Sequence, residues 1–297
     1  MKQVVFEGAG VALITPFKGE FAEKVDYDKL DELIEFQIAN KVDSIIICAT
    51  TGEAATMPDE EHLAVARHCV NTVSGRVPVV VGTGSNDTAH AIKLSKAAQQ
   101  MGADAILTVA PYYNKTSQEG LVKHFTQIAA SIDLPVLLYN VPGRTGMNID
   151  PKTYEKLCKI PNINGVKECN MSQVLEMVQR CGDDLHIYTG EDGQVFLPVL
   201  AGGYGVISVV ANFAPEYVHD LVMSLRNGDI KKGLKLQTNV LELVKALFCE
   251  VNPMPVKEAM NVLGFNVGKC RMPLCDISDE HKLQVRTALR NFGMLKE

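Results

Sequence analysis

Eight short runs of apolar, mostly β-branched residues alternate with longer amphipathic segments along most of the 297-residue chain. This alternation is typical of repeated βα units, in which helices cover buried parallel strands. The strand candidates begin near Gly10, Ser44, Val77, Ala105, Pro135, Ile163, Leu185 and Gly205. Eight successive units of similar length predict an α/β fold closed into a (β/α)8 TIM barrel, with an open doubly wound sheet as the alternative.

The helical segments between the strand candidates carry start signals. Asp26, Asp87 and Ser117 each stand where a side chain can cap the first turn of a helix. After the eighth unit the pattern is helical only, and no linker rich in Pro, Gly or Ser interrupts it. We therefore expect a barrel with the active site over residues 1–226 and a C-terminal helical subdomain over residues 227–297.

Charge and cysteine usage argue against several classes of protein. The formal net charge is −6 without blocks of like charge, so no nucleic-acid partner is expected. The apolar start of the chain is interrupted by Glu7 and ends at Pro16, too short to span a bilayer, and we interpret it as a first strand and not as a signal peptide. The eight cysteines form no C-x-x-C pair and the histidines no H-E-x-x-H spacing. This usage predicts reduced thiols in a cytoplasmic protein, with no metal and no cofactor.

Lys167 ends the sixth strand candidate, and the carboxyl ends of barrel strands carry the active site in this architecture. Burial at such a position disfavours the ammonium form, and a neutral amine can attack a ketone. The resulting iminium withdraws electrons from an adjacent carbanion, which is how a metal-free aldolase forms carbon–carbon bonds. Considered alone, Lys167 is explained better as a solvated lysine or as an ion pair with Glu168.

Four further residues stand at neighbouring strand ends. Tyr139 ends the fifth strand candidate, where its phenol can approach Lys167 and move protons. Thr50 and Thr51 follow the second strand candidate and can bind a small carboxylate such as that of pyruvate, and Thr50 can also relay protons between two tyrosines. Arg144 lies in a Pro-Gly-Arg-Thr-Gly turn, where a guanidinium can clamp a second carboxylate. Ordinary packing, helix capping and surface exposure are the alternative explanations.

Six motifs resemble the dihydrodipicolinate synthase family in order and spacing. They are G-V-A-L-I-T-P-F from Gly10, T-T-G-E from Thr50, G-T-G-S-N from Gly82, P-Y-Y-N-K from Pro111, Y-N-V-P-G-R-T-G from Tyr139 and G-V-K-E from Gly165. The similarity continues through G-V-I-S-V from Gly205 into the helical tail. The resemblance implies condensation of pyruvate with L-aspartate-4-semialdehyde to 4-hydroxy-tetrahydrodipicolinate, in lysine and diaminopimelate biosynthesis.

The resemblance also assigns roles to the residues of the site. It implies a Schiff base on Lys167, a central proton-transfer role for Tyr139, and a hydroxyl relay through Thr50 to a second tyrosine, Tyr113. In the family a neighbouring subunit supplies that second tyrosine, so a homo-oligomer is expected, in the form of a tetramer of two tight dimers. The implied binding positions are Thr51 for the pyruvate carboxylate, Arg144 for the semialdehyde carboxylate, and the backbone of Gly190 and Ile207 near the lysine.

A possible allosteric site is implied as well. In lysine-sensitive relatives the inhibitor lies near the positions of Ala54, Asp59, His62, Asn86, His90 and Tyr112. Those relatives carry a glutamate where this chain has His90, and a neutral histidine cannot replace that charge, so we expect weak or absent inhibition by lysine. Asp59, where the relatives have a histidine, offers a nearby carboxylate that can receive the same ammonium group.

Other functions remain open at this point. N-acetylneuraminate lyase and keto-deoxy sugar acid aldolases of the same superfamily use a similar Lys, Tyr and Thr-Gly-Glu set. Arg144 favours a short partner with a carboxylate, whereas Glu191 and Asp192 can serve the hydroxyls of a sugar acid. A barrel that binds a metabolite without catalysis is the alternative from another class.

Overall fold

The computed structural model describes residues 2–296, in which eight parallel strands close into a barrel. The strands of the chain are β1 (Gly8–Ala12), β2 (Phe17–Lys18), β3 (Lys24–Val25), β4 (Ser44–Ile47), β5 (Val79–Gly82), β6 (Ala105–Val109), β7 (Val136–Asn140), β8 (Ile163–Glu168), β9 (His186–Thr189) and β10 (Gly205–Ser208). Each barrel strand pairs with the next one along the chain, and β10 closes on β1, whereas β2 and β3 form a separate hairpin. The prediction of a (β/α)8 TIM barrel is confirmed.

Helices between the barrel strands cover them from outside, and further helices follow the last strand. They are α1 (Tyr27–Ala39), α2 (Asp59–Val73), α3 (Thr88–Gln100), α4 (Gln118–Ala130), α5 (Pro142–Thr145), α6 (Pro151–Leu157), α7 (Val174–Cys181), α8 (Phe196–Leu200), α9 (Pro215–Arg226), α10 (Ile230–Leu247), α11 (Met254–Val262) and α12 (Asp279–Asn291). The side chains of Asp26, Asp87 and Ser117 accept hydrogen bonds from the first turns of α1, α3 and α4. The three predicted caps are therefore confirmed.

Side chains of each barrel strand alternate between two apolar layers. On β4, Ile46 packs inside the barrel, while Ile45 and Ile47 pack against the helices. At the amino end of the strands the Phe6 and Tyr188 rings stack with centroids 4.3 Å apart, and the Tyr188 hydroxyl donates to the Phe6 carbonyl. These buried rings fill the amino end of the barrel, which leaves the carboxyl end for a site.

The C-terminal helices α10, α11 and α12 pack beside the barrel. Gln237 on α10 accepts hydrogen bonds from the backbone of Val195 and Phe196 and donates to the Asp192 carbonyl, all of which follow β9. A boundary between two units at residue 226 stays a prediction. None of the described helices is long and apolar enough to cross a membrane.

Candidate active site

Lys167 and Tyr139 form the centre of the candidate site. They occupy paired positions on the adjacent strands β8 and β7, because the carboxyl ends of neighbouring parallel strands lie at the same edge of the barrel. Both side chains are buried, with 5 % and 6 % of their surface exposed. The Lys167 Nζ lies 4.7 Å from the centroid of the Tyr139 ring. An amine that can act as a nucleophile therefore lies against the ring of a tyrosine whose phenol can move protons.

Glu168 belongs to the opposite face of β8 and does not pair with Lys167. Its buried carboxylate accepts four hydrogen bonds, from Asn140 Nδ2 at 2.7 Å, Tyr154 Oη at 2.8 Å, Gln173 Nε2 at 2.9 Å and the Asn170 N–H at 2.6 Å. Burial raises the pKa of Glu168, and the donors oppose that shift by stabilising the charged form. This network fixes the carboxyl ends of β7 and β8, and the alternative of a Lys167–Glu168 ion pair is wrong.

Thr50 and Thr51 lie in a tight turn that follows β4. The Glu53 N–H donates to the Thr50 carbonyl at 3.1 Å, and the Thr15 hydroxyl donates to the Gly52 carbonyl at 2.7 Å. Thr51 is buried, and its hydroxyl oxygen accepts a hydrogen bond from Asn252 Nδ2 at 2.9 Å. Because the amide occupies an acceptor position of that oxygen, the Thr51 O–H can still donate to a carboxylate.

Arg144 lies in the short helix α5 at the end of β7. Its side chain is exposed at the mouth of the site, and Nη2 donates to the Asn252 carbonyl at 2.9 Å. Asn252 therefore contacts both residues predicted to bind carboxylates, through its side chain to Thr51 and its carbonyl to Arg144. Asn252 was not predicted as a site residue, because the Asn-Pro dipeptide at 252–253 indicates only a loop.

Gly190 lies next to Lys167, and Ile207 lies in the barrel interior. The Gly190 N–H donates to the Glu168 carbonyl at 2.7 Å, which places the glycine next to the end of β8. A Cβ atom at Gly190 would stand 2.4 Å from Cys169 Sγ and 2.9 Å from Lys167 Cε, so a side chain at this position would displace Cys169 and Lys167. Ile207 is buried on β10 among the side chains that fill the barrel interior.

A cavity of about 520 Å³ opens at the carboxyl end of the barrel. Thr50, Tyr139 and Arg144 line it on one side. Five of the six possible allosteric positions line the same cavity, namely Ala54, Asp59, His62, His90 and Tyr112. Lys167 is not among the lining residues and lies against the Tyr139 ring. Asn86 is outside the lining, and its carbonyl accepts a hydrogen bond from Asn114 Nδ2 at 2.9 Å.

Asp59 and His62, which line this cavity, already have hydrogen-bond partners within the chain. Asp59 contacts Lys93 Nζ at 2.7 Å and His90 Nε2 at 2.8 Å, and these hydrogen bonds lower the pKa of Asp59. His62 is buried with Nε2 2.9 Å from the Gly82 carbonyl, and burial lowers its pKa. The carboxylate of Asp59 is thus already paired within the chain. Weak or absent inhibition by lysine stays a prediction.

Tyr113 is not brought together with the other predicted catalytic residues of its own chain. It lies on the loop after β6, has 92 % of its surface exposed, and adopts a φ of 69° that non-glycine residues rarely take. Its neighbour Tyr112 is 40 % exposed and lines the cavity. Within residues 2–296, no three His, Cys, Asp or Glu side chains are grouped so that they could hold a metal ion.

Comparison with known proteins assigns the chain to a family. The model of the Dihydrodipicolinate synthetase family matches residues 5–292. The chain belongs to this family. It is 55 % identical to the 4-hydroxy-tetrahydrodipicolinate synthase of Acetivibrio thermocellus over 296 residues, which cover 99 % of this chain and 100 % of the relative. The family predicted from the six motifs is therefore confirmed.

Two further proteins extend the comparison. The 4-hydroxy-tetrahydrodipicolinate synthase of Caldicellulosiruptor saccharolyticus is 50 % identical over 293 residues, with 98 % of each chain covered. The crystal structure of the chloride-inhibited dihydrodipicolinate synthase from Acinetobacter baumannii, complexed with pyruvate, superimposes with a TM-score of 0.95. That structure is 36 % identical and covers 98 % of this chain and 100 % of its own.

Proposed function

We propose that this chain condenses pyruvate with L-aspartate-4-semialdehyde to give 4-hydroxy-tetrahydrodipicolinate, through a Schiff base on Lys167. The observation that carries the mechanism is the buried contact between Lys167 and Tyr139 at paired positions of two barrel strands. The relatives confirm the predicted class of enzyme, a Schiff-base-forming synthase, and its place in lysine and diaminopimelate biosynthesis. A barrel without catalysis does not account for a lysine buried against a phenol.

The chemistry proceeds in four steps on this chain's own groups. The neutral Lys167 amine attacks C2 of pyruvate, and loss of water gives the iminium, with Tyr139 delivering and retrieving protons. Loss of a proton from C3 then gives an enamine, because the iminium accepts the electron pair. The enamine carbon attacks the aldehyde carbon of the semialdehyde and forms the new carbon–carbon bond. Hydrolysis of the iminium or displacement by the product's own amine frees Lys167.

Two carboxylates are bound at different depths of the site. Thr51 donates its hydroxyl hydrogen to the pyruvate carboxylate, and Thr50 lines the cavity beside Tyr139 and passes protons to the phenol. Arg144 at the mouth binds the carboxylate of the second substrate in bidentate fashion. The absence of a side chain at Gly190 leaves room for the Lys167 side chain.

The sugar acid aldolase alternative depends on Glu191 and Asp192, and the second of these is committed elsewhere. Asp192 is buried, and its carboxylate accepts hydrogen bonds from the Ser208 hydroxyl and the Val209 N–H. It therefore has no free face for a sugar hydroxyl. Efficient cleavage of N-acetylneuraminate by the purified protein, without formation of 4-hydroxy-tetrahydrodipicolinate, would favour this alternative.

We further propose that the protein works as a homotetramer of two dimers in the cytoplasm. An aromatic side chain as exposed as Tyr113, held on a loop at the same end of the barrel as the cavity, is suited to anchor an interface. In the dimer Tyr113 reaches the neighbouring site and completes the relay from Tyr139 through Thr50. The eight cysteines are free thiols, as expected in a reducing compartment.

Substitution of Arg144 separates the two substrates. We expect Arg144→Ala to lower kcat/KM for the semialdehyde by about 100-fold, equivalent to the loss of a charge-assisted hydrogen bond of about 2–3 kcal/mol. Imine formation with pyruvate should change by less than about twofold, because pyruvate does not contact Arg144. Arg144→Lys keeps the positive charge but loses the bidentate geometry of the guanidinium. Its kcat/KM for the semialdehyde should therefore lie between those of the unmodified protein and Arg144→Ala. Equal losses for both substrates would show that Arg144 does not select the semialdehyde.

A further inference from the structure

A buried ion pair joins the C-terminal helices to the turn that carries Thr50 and Thr51. Lys257 Nζ on α11 lies 2.6 Å from Glu53 Oε1, and their side chains are 3 % and 0 % exposed. The second carboxylate oxygen of Glu53 accepts the Arg271 N–H at 2.8 Å. Charged side chains are rarely buried to this extent, and a buried pair is a poor source of stability because desolvation opposes it. The pair therefore calls for an explanation beyond stability.

Glu53 adopts a backbone conformation that most residues avoid. Its φ is 57°, in the left-handed region, and its N–H closes the turn by donating to the Thr50 carbonyl. A non-glycine residue persists in this region when its surroundings hold it there. Here the surroundings are Lys257 and the Arg271 N–H, both from the C-terminal part of the chain. They fix the turn, and with it the two threonine hydroxyls.

Lys257 is held in place chiefly through Glu53. Its Nζ also donates to the Lys269 carbonyl at 3.0 Å and lies 4.3 Å from the centroid of the Phe17 ring. Burial lowers the pKa of Lys257, and the charge of Glu53 opposes that shift. The cation and the carboxylate thus depend on one another, so a change at Lys257 is transmitted to the turn.

We propose that Lys257 is a positioning residue for the condensation and that, acting through Glu53, it holds Thr50 and Thr51 where they bind pyruvate. The inference rests on the proposed function. Lys257 itself does not line the cavity. A misplacement of about 1 Å in a binding group can slow a reaction by about 100-fold, so loosening this pair should impair imine formation even where the fold survives.

The test is the rate at which Lys167 forms the imine with pyruvate, measured by borohydride quenching at set times and mass spectrometry of the intact protein. Lys257→Met removes the charge at similar length, and we expect imine formation to slow at least about tenfold below saturating pyruvate. Lys257→Arg restores a cation and should recover part of the rate. The double variant Glu53→Gln, Lys257→Met leaves no unpaired buried charge, so it should fold and still form the imine slowly.

Arg226→Met is the matched control. Arg226 is half-buried and pairs with Glu7 at 2.9 Å at the amino end of the barrel, away from the turn. We expect this variant to form the imine at the rate of the unmodified protein, at a temperature where circular dichroism shows every variant folded. An equal slowing in Arg226→Met would show that the loss follows from general destabilisation and would overturn the inference.

The remaining outcomes separate the inference from the proposed function. If the unmodified protein forms the adduct on Lys167 and the folded double variant forms it within about twofold of that rate, the positioning role of Lys257 is overturned alone. If the unmodified protein forms no adduct on Lys167, the proposed function fails and this inference fails with it. A slow double variant beside a normal Arg226→Met supports the positioning role.

Discussion

At the carboxyl end of β8, two consecutive residues serve opposite sides of the barrel wall. Lys167 is buried against the Tyr139 ring, and no ion pair to it occurs within residues 2–296. Glu168 is buried on the helix side of the strand, and its carboxylate accepts four hydrogen bonds. Because successive side chains of a strand point to opposite faces, the nearest carboxylate in the sequence is kept away from the amine. Glu168 therefore does not hold the Lys167 amine in an ion pair.

Gly190 offers a sharp test at the scale of one residue. A Cβ there would meet the Cys169 sulfur and the Lys167 side chain, whose ends can move aside at little cost in stability, but only by displacing the amine of Lys167. We therefore expect Gly190→Ala to keep the unfolding temperature nearly unchanged and to lower kcat at least about tenfold. Gly193→Ala is the control, because the nearest atom to its Cβ is 3.6 Å away. Wild-type turnover in Gly190→Ala would contradict the crowding of Lys167.

The secondary-structure elements were predictable where their signals are local. The strand starts agree closely with the sequence pattern, with the largest differences at Gly10 against Gly8 and Val77 against Val79. The contacts of Asn252 with Thr51 and Arg144, and of Lys257 with Glu53, were not predictable. Periodicity shows which face of a helix is apolar, but not which distant turn that part of the chain will cover.

The packing of α4 against α3 predicts a pH dependence of stability. His124 on α4 is buried, with Nδ1 2.9 Å from the Thr88 hydroxyl of α3, and its Nε2 has no partner within residues 2–296. Burial lowers the pKa of His124 in the folded state below the usual 6.5. As the pH falls through 6.5, the unfolded chain binds a proton that the folded chain does not, so stability is lost on the acid side.

The measurement for His124 is urea unfolding at pH 7.5 and pH 5.5. Over this pH range, protonation of one such histidine in the unfolded chain lowers the free energy of unfolding by at most about 1.4 kcal/mol. We expect the free energy of unfolding of His124→Asn to fall less over this range than that of the unmodified protein, by up to that amount. Equal pH dependence in the two proteins would contradict this assignment.

The whole molecule combines a fold that the sequence predicted with an assembly that it only implies. The eight βα units of similar length close into a barrel, which pairs both edges of the sheet, and the open doubly wound alternative is not adopted. The order of the chain also places Lys167, Tyr139 and the Thr50 turn at one end. Tyr113 remains exposed in a single chain, and periodicity carries no information on which surface of another copy would cover it.

Mixed oligomers test whether Tyr113 serves a neighbouring site. Tyr113→Phe and Thr50→Val should each be nearly inactive alone, because each breaks the proposed proton relay. Co-expression of the two variants should restore about a quarter of the sites, since a site built from one of each chain can contain both intact groups. Exchange of subunits is checked by mass spectrometry of the intact assembly. Sedimentation showing a fully active monomer at assay concentration would contradict the shared site.

The formation of a covalent adduct with pyruvate is the most direct test of the proposed chemistry. The protein is incubated with pyruvate, reduced with borohydride, digested and analysed by mass spectrometry. We expect one pyruvate-derived adduct per chain, on Lys167, unchanged by prior chelation because the iminium itself supplies the electron sink. Lys167→Ala should abolish the adduct while retaining the barrel by circular dichroism. An adduct on another lysine, or none in the unmodified protein, would contradict the assignment of Lys167.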